Sequence, residues 1–468
     1  MFIAVRRPDL EVGRVHLMFT IDEFGRKFRA REISAAEMTD ACLRGIDAHN
    51  QRLNAFIHVM AEEARRQARE ADAELAAGRD RGALHGVPIS IKDLFDVEGC
   101  ATTAASRVRE FHIADRDAMV IARLRRAGAV LVGKTNLHEF AFGTTNEDSA
   151  FGAARNPHDV ERSPGGSSGG SAASIVAGMA IASIGTDTGG SIRIPAAACG
   201  TVGLKPTYGE VPTDGVVPLS PTLDHVGPIT RSVADAWHLL HVLLGRDSGG
   251  PLAAAPLGGL RLAVLRGYFS DVLDDEIRAR FEASVDILRT GGARIEEARI
   301  PHANLIAPIY MHISFAEAAA YHATTLETMA ALYTPPVRLR LELARYVLAE
   351  DYVRALTGRE VLRREVDAAL SGHDVLLLPT LPIPAPMIGA NVVQIGQTKE
   401  PVRALMLRQT QLFNLTGHPA ISLPCGRTAA GLPCGLQLVG QRMHTQALLR
   451  IAAGIERLLG SDPGLTPA

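Results

Sequence analysis

Three short stretches hold the residues whose types could do chemistry together. They are a lysine in "GVPISIKDLFD" (86–96), two serines in "PGGSSGGSAASIVAG" (164–178) and one serine in "GTDTGGSIRIP" (185–195). If the first stretch is a strand, Ser90 and Lys92 share one face, and Ile89 and Ile91 the other. An ammonium is costly to bury. Lys92 is therefore either an edge lysine whose head reaches water, or a lysine held neutral by desolvation. A neutral amine can take a proton from a serine hydroxyl near neutral pH.

Two other motifs compete for these residues. Gly128 to Thr135, "GAVLVGKT", satisfies the phosphate-loop pattern GxxxxGK[ST]. That motif needs a flexible loop between its glycines, and here Ala-Val-Leu-Val occupies the gap and reads as a strand. Ser167 and Ser168 each sit in a GxSxG pattern, as in a nucleophile elbow. An elbow follows directly on a strand, whereas "NPHDVERSP" before it is polar and broken by proline. His225, His238, His241 and His302 lie downstream as candidate bases. His238 and His241 fall in the helical "WHLLHVLL", where packing or surface roles are commoner than catalysis.

The elements that must position these groups follow from periodicity. Ser34 reads as the N-cap of "AAEMTDACLRGI", and "MAEEARRQAREADAELAAG" as an exposed helix ending at Gly78. Strands are expected at "GVPISIKD", Ala129–Val132, "AIASIG", "LRLAVLRGYF", "DVLLLPT", "PAISLP" and "GLQLVG". Helices are expected at "GSAASIVAGM", at "SVADAWHLLHVLLG" and over most of 303–371. This alternation implies one large α/β domain over residues 18–468, with a mixed, mostly parallel sheet covered by helices on both faces. Residues 1–17 read as a loosely held extension.

The bulk numbers narrow the function classes. The chain has 468 residues, 47% hydrophobic, with a formal net charge of −2, so it carries no electrostatic footprint for nucleic acid or an anionic membrane. No stretch approaches the ~18 apolar residues of a membrane span, and the N-terminus lacks the pattern of a signal peptide. Five scattered cysteines form no CxxC, which fits a reducing cytoplasm and no structural zinc.

Along most of its length the chain resembles the amidase signature family. The consecutive blocks are "GVPISIKDLFDVEG", "RRAGAVLVGKTNLHEFAFG", "SAFGAARNPHD", "PGGSSGGSAASIVAG", "GTDTGGSIRIPAAACGTVGLKPTYG", "LDHVGPITRSVADA", "DVLLLPTLPIPAPMIG", "FNLTGHPAISLPCG" and "GLPCGLQLVGQR". The resemblance implies a Ser–cis-Ser–Lys triad with Lys92 as general base, Ser167 as the bridging serine on a cis peptide and Ser191 as nucleophile. It further implies an oxyanion hole from the backbone of Thr188, Gly189, Gly190 and Ser191, with Ser168, Asp187 and Arg193 as supporting residues. The implied reaction is hydrolysis of a small-molecule amide through a Ser191 acyl-enzyme, with no metal or organic cofactor. The acyl pocket of similar proteins borders Phe142, Gly143 and Thr144 and the loops near 213–222 and 380–390.

The chain departs from the family pattern at Ala105, where "TTAAS" replaces TTAGS, which bears on a loop near the site. Two alternatives remain. One is the glutaminase subunit of a tRNA-dependent amidotransferase, in which Arg359 falls roughly where glutamine's carboxylate binds. This chain has "EDYVRALTG" in place of the tyrosine-rich stretch of those glutaminases. The other is a non-catalytic binding member of the fold. The expected partner is a small-molecule amide, not nucleic acid or membrane, with a homodimer as the assembly to test.

Overall fold

The computed structural model describes residues 19–246 and 250–460, so the extension expected over residues 1–17 lies outside the described residues. Among the described residues thirteen strands are formed. In chain order they are β1 (Phe56–Val59), β2 (Pro88–Lys92), β3 (Val130–Thr135), β4 (Ala182–Asp187), β5 (Val202–Lys205), β6 (His225–Thr230), β7 (Arg261–Leu265), β8 (Arg294–Ala298), β9 (Val375–Pro379), β10 (Val392–Ile395), β11 (Thr398–Pro401), β12 (Ala420–Arg427) and β13 (Pro433–Val439). Eleven of them make one sheet in the order β1-β3-β2-β4-β6-β5-β12-β13-β9-β7-β8, and β10 and β11 form a separate hairpin.

The domain is a single α/β unit with a mixed sheet flanked by helices. Parallel pairing runs through two blocks, β3-β2-β4 and β9-β7-β8. Between them β6, β5, β12 and β13 pair antiparallel. For β12 and β13 the reason is local: only five residues separate them, too few for the crossover that a parallel pair needs.

Helices cover both faces because the central strands are apolar on both. Val375 and Leu377 of β9 belong to one buried cluster, and Leu376 and Leu378 to the other. The pattern repeats in β7, with Leu262 and Val264 on one side, Ala263 and Leu265 on the other. At β2 the alternation changes character. Ile89 and Ile91 enter the apolar cluster, while Ser90 bonds Ser174 and Ser183 at 2.9 Å on the opposite face. Lys92 shares that polar face, as the alternation expects.

Several boundaries follow from capping. Ser34 caps the helix Ala35–Leu53, with Glu37 completing a capping box. The helix Ala61–Ala76 stops two residues before Gly78, which adopts φ +78°. The 303–371 region folds as helices Ile306–Thr328, Pro335–Ala344 and Ala349–Leu370. Among the described residues no helix is long and apolar enough to cross a membrane.

Candidate active site

Lys92 and Asp187 are the last residues of neighbouring parallel strands, β2 and β4. The site therefore lies at the carboxyl ends of a parallel block, where open α/β sheets place their ligands. The glycine–serine clusters leave from the same edge. Ser167 and Ser168 precede the helix Gly169–Val176, and Ser191 precedes the helix Arg193–Cys199. The two clusters are stitched together: Ser168 donates its N–H to the Ser191 carbonyl at 3.2 Å and its hydroxyl to the Thr186 carbonyl at 3.2 Å.

The Lys92 amine lies 2.7 Å from Ser167 Oγ and 2.7 Å from Thr186 Oγ1. The lysine is fully buried, and that burial brings its pKa down to about 7, against the partial support of Asp187 and Asp224 for the charged form. Of the two readings open from sequence, the exposed edge lysine is therefore excluded. The Gly166–Ser167 peptide bond is cis. Lys92 and Ser167 are sealed from solvent, while Ser191 keeps 5% of its exposure.

The loop before Ser191 presents bare donors. Among the described residues the N–H groups of Gly189, Gly190 and Ser191 find no acceptor. Two glycines make this loop sterically feasible. A Cβ on Gly189 would come within 2.4 Å of the Tyr310 hydroxyl, and one on Gly190, at φ +138°, within 2.2 Å of Thr410 Oγ1. Thr410 itself donates to the Gly189 carbonyl at 2.6 Å. Thr188 donates to Asp224 at 2.5 Å. Burial raises the Asp224 carboxyl to about 6 even though Thr188 and two backbone N–H groups bind it.

Asp187 and Arg193 form a fully buried ion pair with two contacts, 3.0 and 2.9 Å. The remaining guanidinium donors reach Thr410 O, Gln437 Oε1 and Asn414 Oδ1 at 3.0, 2.7 and 2.7 Å. Asn414 returns a bond to Asp187 at 2.8 Å. Burial alone would raise the Asp187 carboxyl, but the adjacent guanidinium outweighs it and holds the group well below the usual carboxylate range. Asp187 also accepts from the Ile192 N–H at 3.1 Å, which ties the Ser191 loop to the pair.

The other sequence candidates fall as follows. Lys134 of the phosphate-loop pattern is buried in β3 and engaged by Asp93 at 2.8 Å, so it is no phosphate ligand. No strand precedes Ser167 directly, and His238 and His241 bond Asp22 and the Trp237 carbonyl on the helix Val233–Leu243. His225 is nearer, but its Nδ1 faces the carbonyls of Leu223 and Asp187. Phe142 is buried and packs edge-on against Phe315. Gly143 leaves no room for a Cβ beside the His138 ring, and the Thr144 carbonyl carbon lies 2.9 Å from where a Gly166 Cβ would stand. Residues of the 213–222 loop, with Thr186, Thr188 and Asp224, line a cavity of about 110 Å³. The 380–390 loop packs on the segment before Ser167, with Ala385 and Pro386 accepting bonds from Arg162 and Ser163. Ala105 adopts φ +56°, the conformation a glycine there would favour.

Sequence reading missed Thr186, Asp224, Thr410, Asn414 and Gln437. Thr186 and Asp224 lie inside recognisable blocks, one residue from Asp187 and His225. Thr410 and Gln437 meet Arg193 across more than 200 positions, a pairing no local pattern encodes. Among the described residues no three His, Cys, Asp or Glu side chains are grouped to hold a metal ion.

The chain is similar to known proteins along nearly its whole length. The sequence model of the family described as Amidase matches residues 37–449. An amidase from Pseudomonas putida is 41% identical, aligned over 94% of this chain and 95% of the relative. The A-type subunit of glutamyl-tRNA(Gln) amidotransferase from Roseiflexus sp. (strain RS-1) is also 41% identical, over 91% and 93%. A crystal structure of an amidase superposes with a TM-score of 0.89 at 35% identity, covering 94% of this chain and 99% of that one. The chain belongs to the amidase signature family.

Proposed function

We propose that this chain is a free-standing amidase in which Ser191 is the nucleophile, Ser167 the proton relay and Lys92 the general base. The observation that carries the proposal is the sealed, neutral-poised Lys92 amine at 2.7 Å from the Ser167 hydroxyl. Ser191 Oγ attacks the amide carbonyl while its proton passes to Ser167, which gives its own proton to Lys92. The developing oxyanion is held by the N–H groups of the Thr188–Ser191 loop, donors already in place before reaction. As the C–N bond breaks, the relay runs in reverse and protonates the departing amine or ammonia. Water, deprotonated by the same route, then releases the carboxylic acid from Ser191. Ser168, Asp187 and Arg193 act on this chemistry by fixing the two loops. The five thiols, none of them in a disulfide, support a reducing compartment such as the cytoplasm.

Gly190 gives this reading a direct consequence. A methyl group at φ +138° beside Thr410 must displace the donor loop. Gly190→Ala is therefore expected to lower kcat by about 10²-fold or more, with KM changing less. Steady-state hydrolysis of a primary amide checks this, and a near-native kcat would remove the loop from the mechanism.

A second reading, the glutaminase component of a tRNA-dependent amidotransferase, is favoured by relatives of that name at equal identity. Arg359, the residue that reading needs, lies 3.3 Å from Thr222 Oγ1 and 3.7 Å from Glu360. The isolated chain assayed against simple primary amides and against glutamine separates the two. Turnover of simple amides without added subunits is the expected result. Activity confined to glutamine, and dependent on other subunits, would overturn the free-standing assignment.

A further inference from the structure

Arg403 stands on the second residue of the helix Val402–Arg408 and makes no direct contact with a carboxylate among the described residues. Among the described residues it makes no ion pair, and its one hydrogen bond is a long one, 3.4 Å to the Phe142 carbonyl. Its guanidinium carbon lies 5.6 Å from the Phe142 ring centroid. Arg340 bonds the same carbonyl. The nearby carboxylate, Asp148, is taken up by Arg340 and His138, each at 3.0 Å. Two guanidinium groups thus converge on one carbonyl with one carboxylate between them, and Arg403 is the cation in excess. Arg403 is half-buried, and desolvation and then the charge of Arg340 lower its pKa to about 10 against the opposing pull of Tyr310 and Asp148. A cation so placed gains from any anion that arrives.

Neighbouring residues connect it to the proposed reaction centre from two sides. Leu407, one turn along the same helix, is on the same face as Arg403, and it lies 3.0 Å from where a Gly189 Cβ would stand. Tyr310, against the same glycine, is within electrostatic reach of Arg403. On the other side Phe142 leads through Gly143 to Thr144, whose backbone abuts Gly166 beside the relay serine. Arg403 therefore sits between the segment bordering the relay and the loop bearing the bare N–H donors.

We propose that Arg403 anchors a carboxylate on the substrate, so that the site takes amides carrying an anionic group a few bonds from the scissile carbonyl. This rests on the amidase reading and names its substrate class. The anion can belong to the acyl half or to the amine half, and matched substrates distinguish the two. Succinamate and glutaramate, compared with pentanamide, test the first; N-acetylglycine, compared with N-ethylacetamide, tests the second. The expected result is a preference in kcat/KM of about 10–100-fold for the anionic partner in one arm. That ratio collapses toward one in Arg403→Met, mainly through KM, is partly kept in Arg403→Lys, and survives in Arg359→Met. Absence of preference in both arms, preference surviving in Arg403→Met, or loss in Arg359→Met alone overturns the anchor. Calorimetric binding of succinate and glutarate to Ser191→Ala protein, with and without Arg403→Met, is a readout free of turnover. Failure of the amidase reading shows as no hydrolysis of any amide, charged or neutral. Failure of the anchor alone shows as amide hydrolysis, or dicarboxylate binding, that Arg403 does not affect.

Discussion

Lys92→Met is expected to lower kcat by about 10⁴-fold or more while making the protein more stable. The loss follows from the mechanism: without the amine nothing accepts the proton that Ser191 must shed through Ser167, and triad residues act as a unit. The gain in stability follows from burial. The folded-state value is about 7, against ~10.4 for lysine in an unfolded chain. Between those pH values the unfolded chain binds one more proton than the folded one, so stability rises with pH from 7 to 10.4. Below 7 the cost of burying the group is complete, about 4–5 kcal/mol. Methionine removes that slope, so the variant's advantage over wild type is largest at pH 6 and smallest at pH 10. On the proposed mechanism the same group sets the acid limb of activity, so kcat/KM is expected to rise through pH ~7 as Lys92 loses its proton. Denaturant titrations at the two pH values and a pH–rate profile check both halves. A Lys92→Met protein with wild-type turnover, or a rate flat from pH 5 to 9, contradicts the role.

Arg193→Met is expected to cost about 3–5 kcal/mol, because it leaves Asp187 as a buried carboxylate without its partner. Lysine is a poor substitute, since the guanidinium uses three nitrogens to reach Asp187, Thr410, Gln437 and Asn414 together. The pair also predicts a loss of stability in strong acid. Asp187 is held below the usual carboxylate range, so its contribution is fully present above ~3.9 and is lost only as pH falls through its lower folded value. Urea unfolding of wild type and variant at pH 7 measures the cost. A difference under about 1 kcal/mol would mean that the pair is not what holds the Ser191 loop.

Much of this site was legible because its residues lie in short, dense runs. Lys92 betrays itself as the one cation in an alternating apolar strand, and the two glycine–serine clusters stand at the ends of apolar runs that become β4 and the helix Gly169–Val176. Other parts were hidden for physical reasons. β6 is not among the strands expected from periodicity, because Gly227 and Pro228 interrupt its pattern, yet it pairs with β4 from His225 to Ile229. It tolerates Pro228 because β5 pairs only with Ile229 and Thr230. The antiparallel middle of the sheet was masked by helix–strand alternation, which sets strand order far less than it sets strand existence. Thr410, Asn414 and Gln437 take their roles from strands and helices meeting across the fold, so composition around them carries no signal.

Labelling with a fluorophosphonate probe, followed by peptide mapping of the adduct, tests the central claim most directly. The expected result is a single adduct on Ser191, lost in Lys92→Ala although that protein stays folded. An adduct on Ser167 or Ser168, or one on Ser191 that forms at the wild-type rate without Lys92, would contradict it.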